Sequence, residues 1–196
     1  MPFTNHLTPD TSDPYTDPRR RCTRYQDEPS YSEASGLWLY GNVRLLHSKL
    51  CCIERAFGRG PWDFDALSII EQETETRILN AEVLVCGVHN EAHQRAAIVP
   101  LRWGAPRIVV FSGGVRFHLG ENLLEEPFRA GRLWRYQWDP KTDLAVSRRA
   151  PRKLPTFARF NPTVDRLILS LANGDWPGLS SPVDLLTPCL TSQALR

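Results

Sequence analysis

The sequence predicts one α/β domain: a mostly parallel sheet with helices on both faces. Two observations carry this. Short apolar runs without alternation, at residues 49–53, 82–86 and 107–111, have the composition of strands buried on both faces. Stretches with apolar residues three and four apart, the spacing of helices, lie between and after them. Apolar strands alternating with helices argue for parallel packing in layers, a Rossmann-like fold. Ligands of such sheets bind beyond the carboxyl ends of the strands.

The elements follow in order. Residues 49–53 form the first strand, and a glycine-containing loop spans 55–61. Residues 64–79 form a helix with Phe64, Leu67, Ile70, Thr74 and Ile78 as its apolar stripe. Asp63 stands at its start as N-cap. The strand 82–86 ends at Gly87, and a helix over 91–99 is expected to stop at Pro100. The strand 107–111 ends in Ser112-Gly113-Gly114, and residues 133–138 are expected to supply a fourth strand. A last helix over 163–172 carries Val164, Leu167, Ile168 and Leu171 on one face and closes at Asn173-Gly174. Residues 1–34, rich in Pro, Ser, Thr and Asp, read as a disordered tail. The domain then spans 35–175, and 176–196 form an irregular extension.

A chain of 196 residues with 41% apolar residues has material for one core. No apolar run approaches the roughly 18–20 residues of a membrane span. The N-terminal stretch has no apolar segment of the secretory kind. Five cysteines, an odd number with no CxxC pair, suit a reducing compartment, so a cytoplasmic location away from membranes is expected. Net charge is only +2, but three of the 24 basic residues are lysines and 21 are arginines. The arginine fork grips phosphate at two points. A basic cluster, Arg19–Arg21, lies in the tail.

The order of short motifs then becomes informative. Gly41-Asn42 precedes Leu45-Leu46. Cys51-Cys52-Ile53 leads into Glu54-Arg55, with Gly58-Arg59-Gly60 just after. Val83–Cys86 runs into Gly87-Val88-His89-Asn90-Glu91-Ala92-His93, and Ala96 follows. The strand 107–111 runs into Gly113-Gly114, with Asn122-Leu123 downstream. Phe157 or Phe160 precedes Asp165-Arg166 and an apolar helix. Over residues 38–172 this order resembles the DNA-processing protein A family. The turn after Gly87 departs from the family's Ala-Arg-Gly-Ile-Asp pattern, with His89 near the arginine's place. The resemblance implies a non-enzymatic protein of DNA processing or recombination. Its partners would be single-stranded DNA and a recombinase, and a homodimer is compatible with it.

The residues expected to hold phosphate lie at the strand ends: Arg55, Gly58, Arg59, Gly60, Gly87, His89, Gly113, Gly114, Arg116 and Arg166. Arginines supply charge, and glycines let backbone N–H groups approach an anion closely. Phe57, Trp62 or Phe117 could stack on bases. Each arginine taken alone also reads as a surface ion pair, and each aromatic as core. His93 could line a ligand pocket, but reads rather as a helix-start histidine that satisfies its own loop. His47-Ser48-Lys49 with Glu54 mimics one copy of a phosphodiesterase motif. Glu71, Glu73 and Glu75 read as a solvated face. The sequence has no zinc-ligand spacing, no GxGxxG and no Walker loop, so no cofactor is expected. The alternative to DNA is a nucleotide-binding or nucleotide-hydrolysing domain using the same rim; a module with a decayed pocket is a third option.

Overall fold

A computed structural model describes residues 26–155 and 161–175. They form six strands and four α-helices: β1 Gln26–Ser32, β2 Leu37–Gly41, β3 Leu50–Cys51, α1 Phe64–Leu79, β4 Val83–Cys86, α2 Glu91–Trp103, β5 Arg107–Phe111, α3 Val115–Leu119, β6 Leu144–Ser147 and α4 Pro162–Ala172. One sheet runs in the order β1-β2-β6-β5-β4-β3. The pairs β3–β4, β4–β5 and β5–β6 are parallel, while β1 and β2 join antiparallel at one edge. The expected neighbours β3, β4 and β5 therefore lie side by side in a Rossmann-like α/β sheet.

Two-residue alternation divides the sheet's side chains between two cores. Leu84 and Cys86 of β4, Val109 and Phe111 of β5 and Ala145 of β6 face one side, where α1, α2 and α3 pack through Leu67, Ile70, Ala92, Ala96, Val115 and Leu119. Val83, Val85, Ile108, Val110, Leu144 and Val146 face the other, against Val164, Leu167, Ile168 and Leu171 of α4. Strands sandwiched in this way are apolar on both faces, which is why β4 and the Ile108–Phe111 run of β5 show no alternation; the buried Arg107 at the start of β5 is the exception.

The capping reads as expected for α1, where Asp63 accepts from the Ala66 N–H at 2.8 Å. Asn90 caps α2 through the His93 N–H at 2.8 Å, and Asn161 caps α4 through the Val164 N–H.

Three expectations are corrected. Residues 133–138 form no strand of the sheet. Leu133, Trp134 and Tyr136 are exposed, a 3-10 turn covers Gly131–Leu133, and only Gln137 makes an isolated bridge, to Glu125. The fourth parallel strand is instead β6, whose four residues are all buried. The segment assigned to the tail contributes β1 from Gln26 onward. An edge strand is held by backbone pairing and needs little apolar area. Here a turn at Gly36 (φ +67°) folds β1 onto β2, and Tyr31 packs on Trp38 at 5.2 Å between ring centroids. Pro100 does not stop α2. The helix runs to Trp103 and ends at Gly104 in the left-handed region, with the Ala105 N–H donating to Pro100 O. A proline removes one helical hydrogen bond, and burial of Pro100 with Val99 and Leu101 keeps the helix going. Residues 1–25, with the Arg19–Arg21 cluster, residues 156–160, with Phe157 and Phe160, and the extension 176–196 lie outside the described residues. Among the described residues no helix is long and apolar enough to cross a membrane.

Candidate functional site

The carboxyl ends of β3 and β4 open into a cleft of about 600 Å³, lined by Arg59, Pro61, Trp62, His89, Asn90, Glu91 and Gln94. Local sequence shapes its walls. After β3 the chain makes a 3-10 turn over Glu54–Ala56 and passes Gly58 (φ +94°) and Gly60 (φ +71°). A Cβ on Gly60 would stand 2.8 Å from the Trp62 ring, so a glycine there lets the indole fold back over the loop. The Trp62 indole Nε1–H donates to Arg55 O at 3.2 Å. Across the cleft, Asn90 ties the walls together: its side-chain N–H donates to Ala56 O at 3.1 Å. Gln94 donates to Val88 O at 2.9 Å and fixes the turn that carries His89.

Behind the cleft lies a buried cluster. His89 Nε2 and His93 Nε2 each lie 3.1 Å from the same oxygen, Asp165 Oδ1. The imidazole rings are 4.6 Å apart between centroids, and Phe57 packs beside His93 at 5.5 Å. Gly87 makes the arrangement sterically feasible, since a Cβ there would stand 2.6 Å from His89 Nδ1. His93 Nδ1 accepts the Gly87 N–H at 3.3 Å, so the proton of its neutral ring sits on Nε2 and is donated to Asp165. His93 therefore does satisfy its own loop, and it also holds a carboxylate. Burial pushes the His93 pKa down, against the pull of Asp165. Burial opposes the Asp165 charge, but the two imidazoles outweigh it and hold the carboxyl well below the usual range. His89 approaches Asp165 closely without hydrogen-bond alignment, and neither of its ring nitrogens has a hydrogen-bond partner among the described residues.

The structure divides the expected rim in two. Arg55, Gly58, Arg59, Gly60, Gly87 and His89 gather at the ends of β3 and β4. Arg55 points largely to solvent, with Glu73 at 3.7 Å. Gly113, Gly114 and Arg116, after β5, stand apart behind the chain's own segment 150–155. A Cβ on Gly114 would fall 2.2 Å from both Ala150 O and Pro151 O, and one on Gly113 would fall 2.8 Å from Pro155 N. The Gly114 N–H donates to Lys153 O and the Arg116 N–H to Pro151 O, both at 2.8 Å. The close approach these glycines permit is thus to backbone. The Arg116 side chain, mostly buried, pairs with Glu28 of β1 and with Glu121. Arg166 is exposed on α4, its Nε donating to Pro162 O of its own helix.

The phosphodiesterase-like motif does not assemble: Lys49 pairs with Glu82 at 2.8 Å, before β3, whereas Glu54 follows it. Glu71 is no free surface carboxylate. It bridges α1 to Arg95 and Arg102 of α2. Asp165 is the residue that sequence reasoning did not place in the site. It lies 72 positions from His93, and only the fold joins them.

No family model, characterised protein or solved structure matches this chain. Fold and site therefore define it as a Rossmann-like α/β domain with a strand-end cleft backed by a His-His-Asp cluster.

Proposed function

We propose that this chain binds single-stranded DNA through its phosphates, along the cleft at the ends of β3 and β4. The observation that carries the reading is that Arg59 and Trp62 line one open cleft with the start of α2. Arginine offers bidentate phosphate contact, the indole offers a stacking surface, and the first N–H groups of a helix favour an anion. Glu91 works against anion binding there, so the phosphate path runs on the Arg55–Arg59 side. A second cleft of about 650 Å³ carries Glu121 and Glu125 against Arg132 and suits phosphate less well. The motif order, which resembles that of the DNA-processing protein A family, supports the same reading, toward handling of single strands in recombination.

The test is a titration with labelled single strands of unrelated sequence at several salt concentrations. Arg59→Ala should weaken all of them about equally and make the logarithmic salt slope shallower by roughly 0.7. Trp62→Ala should cost about 1–3 kcal/mol of affinity. Absence of binding at low salt would end this reading.

The size of the cleft favours a second reading, a small phosphorylated ligand, since such pockets span roughly 300–1,000 Å³. Full competition by a mononucleotide, with a weak salt dependence, would select it.

A further inference from the structure

We propose that His89, His93 and Asp165 form a binding site for one divalent transition-metal ion of the zinc class. The proposal concerns the cluster behind the cleft and stands whether or not the cleft binds DNA.

Three features carry it. The first is convergence. One ligand atom from each residue lies within 4.8 Å of the other two, and both imidazoles meet a single carboxylate oxygen at 3.1 Å. An ion needs about 2.0–2.2 Å to each nitrogen or oxygen donor, so small side-chain adjustments would seat it. The second is an unexplained polar side chain. The His89 side chain is 4% exposed, and neither ring nitrogen has a hydrogen-bond partner among the described residues. Buried polar atoms in native proteins are nearly always paired, so an Nε2 that meets Asp165 only out of hydrogen-bond alignment, and an Nδ1 with no partner among the described residues, point to an occupant. The third is how the fold holds the donors. His93 sits in the first turn of a capped helix, Asp165 in the first turn of another, and His89 in a loop that Gly87 allows to fold back.

The donor set gives the class. Two imidazoles and one carboxylate suit zinc and its first-row neighbours better than magnesium or calcium, which prefer oxygen alone. Three protein ligands leave a fourth position open. His89 also lines the cleft, so that position would take a water or a ligand oxygen from this side. Among the described residues no cysteine sulfur joins this group of donor atoms.

Proton positions balance. The His93 proton, now on Nε2 and shared with Asp165, moves to Nδ1 as Nε2 takes the metal. Nδ1–H and the Gly87 N–H are then two facing donors, so their 3.3 Å hydrogen bond is lost and the ring must turn away from Gly87. His89 binds through Nε2 and carries its proton on Nδ1. Neither ring becomes charged.

The experiment uses the untagged full chain, stripped with chelator, and titrates it with zinc by calorimetry and with cobalt(II) by visible absorption. One ion per chain is expected, with the absorption of four- or five-coordinate cobalt and no sulfur-to-cobalt band. His89→Gln and Asp165→Asn should each weaken binding by at least about 100-fold, the upper end of what losing even an outer partner costs a metal site. His47→Gln, an exposed histidine elsewhere, should bind as the unaltered chain does. Should Asp165→Asn fail to fold, the rise in melting temperature of the unaltered chain with zinc, and its loss in His89→Gln, carries the test. Absence of saturable binding, a sulfur band, or unchanged affinity in folded His89→Gln would each overturn the proposal.

Discussion

Two buried charged clusters lie at opposite ends of the parallel strands, and they are built differently. At the start of β5, Arg107 is wholly buried, yet each of its nitrogens has a partner. Nε donates to Asp143 at 2.9 Å, Nη1 to Ala97 O at 3.0 Å, and Nη2 to both oxygens of Glu126 at 2.7 Å. The Phe128 and Trp138 rings enclose the guanidinium. Burial opposes its charge, but the two carboxylates outweigh it and keep it protonated at any working pH. Just past the end of β4, His89 is nearly as buried, yet among the described residues neither nitrogen makes an aligned hydrogen bond, although Nε2 lies 3.1 Å from Asp165. An arginine held by its own fold needs nothing from outside. An imidazole with no aligned hydrogen bond among the described residues, set beside a cleft, is what the proposed ion would use. The contrast separates a structural device from a candidate site, although both hold buried charge.

The sharpest way to break the comparison is to remove one member from each end. Arg107→Leu leaves Glu126 and Asp143 buried without their main partner and should destabilise the chain by about 3–5 kcal/mol. His89→Leu removes no aligned hydrogen bond, only one of the two imidazoles beside the Asp165 carboxylate, and should cost less, about 1–2 kcal/mol. Urea unfolding of both variants checks this. Equal losses would mean that the His89 cluster is as structural as the Arg107 cluster.

A third buried group sharpens the contrast through pH. His118 stacks on Phe111 at 4.5 Å, and its Nε2 accepts the Gly113 N–H at 3.3 Å. Burial alone pushes its pKa down to about 4, against an ordinary value near 6.5. Lowering the pH below about 6.5 charges this imidazole in the unfolded chain first. Stability from this group is therefore whole above about 6.5 and is lost as pH falls toward 4. Full loss would be up to about 3 kcal/mol, an upper limit because the ring keeps some contact with water. His93 shifts in the same direction, so the informative quantity is the difference between the unaltered chain and His118→Gln. That difference should shrink between pH 7 and pH 4.5 in urea melts; a constant difference would contradict the assignment.

These elements also show what a sequence can and cannot reveal. β4 and β5 were legible because strands covered on both faces are apolar on both, Arg107 at the start of β5 apart. β6 was not: Leu-Ala-Val-Ser is only four residues long, while the aromatics of 133–138 mimic a strand. β1 was hidden because pairing at an edge uses the backbone, which composition does not report. In the site, glycines after the strands were legible as points of close approach. Whether phosphate or the chain itself approaches was not, and at Gly113 and Gly114 it is the chain. Asp165 was not legible as a partner of the histidines, because nothing local links α4 to the β4–α2 turn.

The smallest expected effects test that division of the rim. Gly114→Ala places a methyl 2.2 Å from two backbone oxygens that cannot rotate away. It should cost about 1–3 kcal/mol, as overpacking does. Gly58→Ala meets nothing within 4 Å, though its φ of +94° disfavours a side chain, so its cost should stay near 1 kcal/mol. Binding should rank the other way. Gly58 stands in the loop that carries Arg59, so Gly58→Ala should disturb single-strand affinity while leaving the fold nearly intact. Arg116→Ala should loosen the edge strand through Glu28 and leave affinity unchanged, because that arginine is already committed to carboxylates. Circular dichroism, urea melts and strand titrations on the three variants decide it. A loss of affinity in Arg116→Ala as large as in Arg59→Ala would mean that the two halves of the rim act as one surface, and that segment 150–155 moves aside when DNA binds.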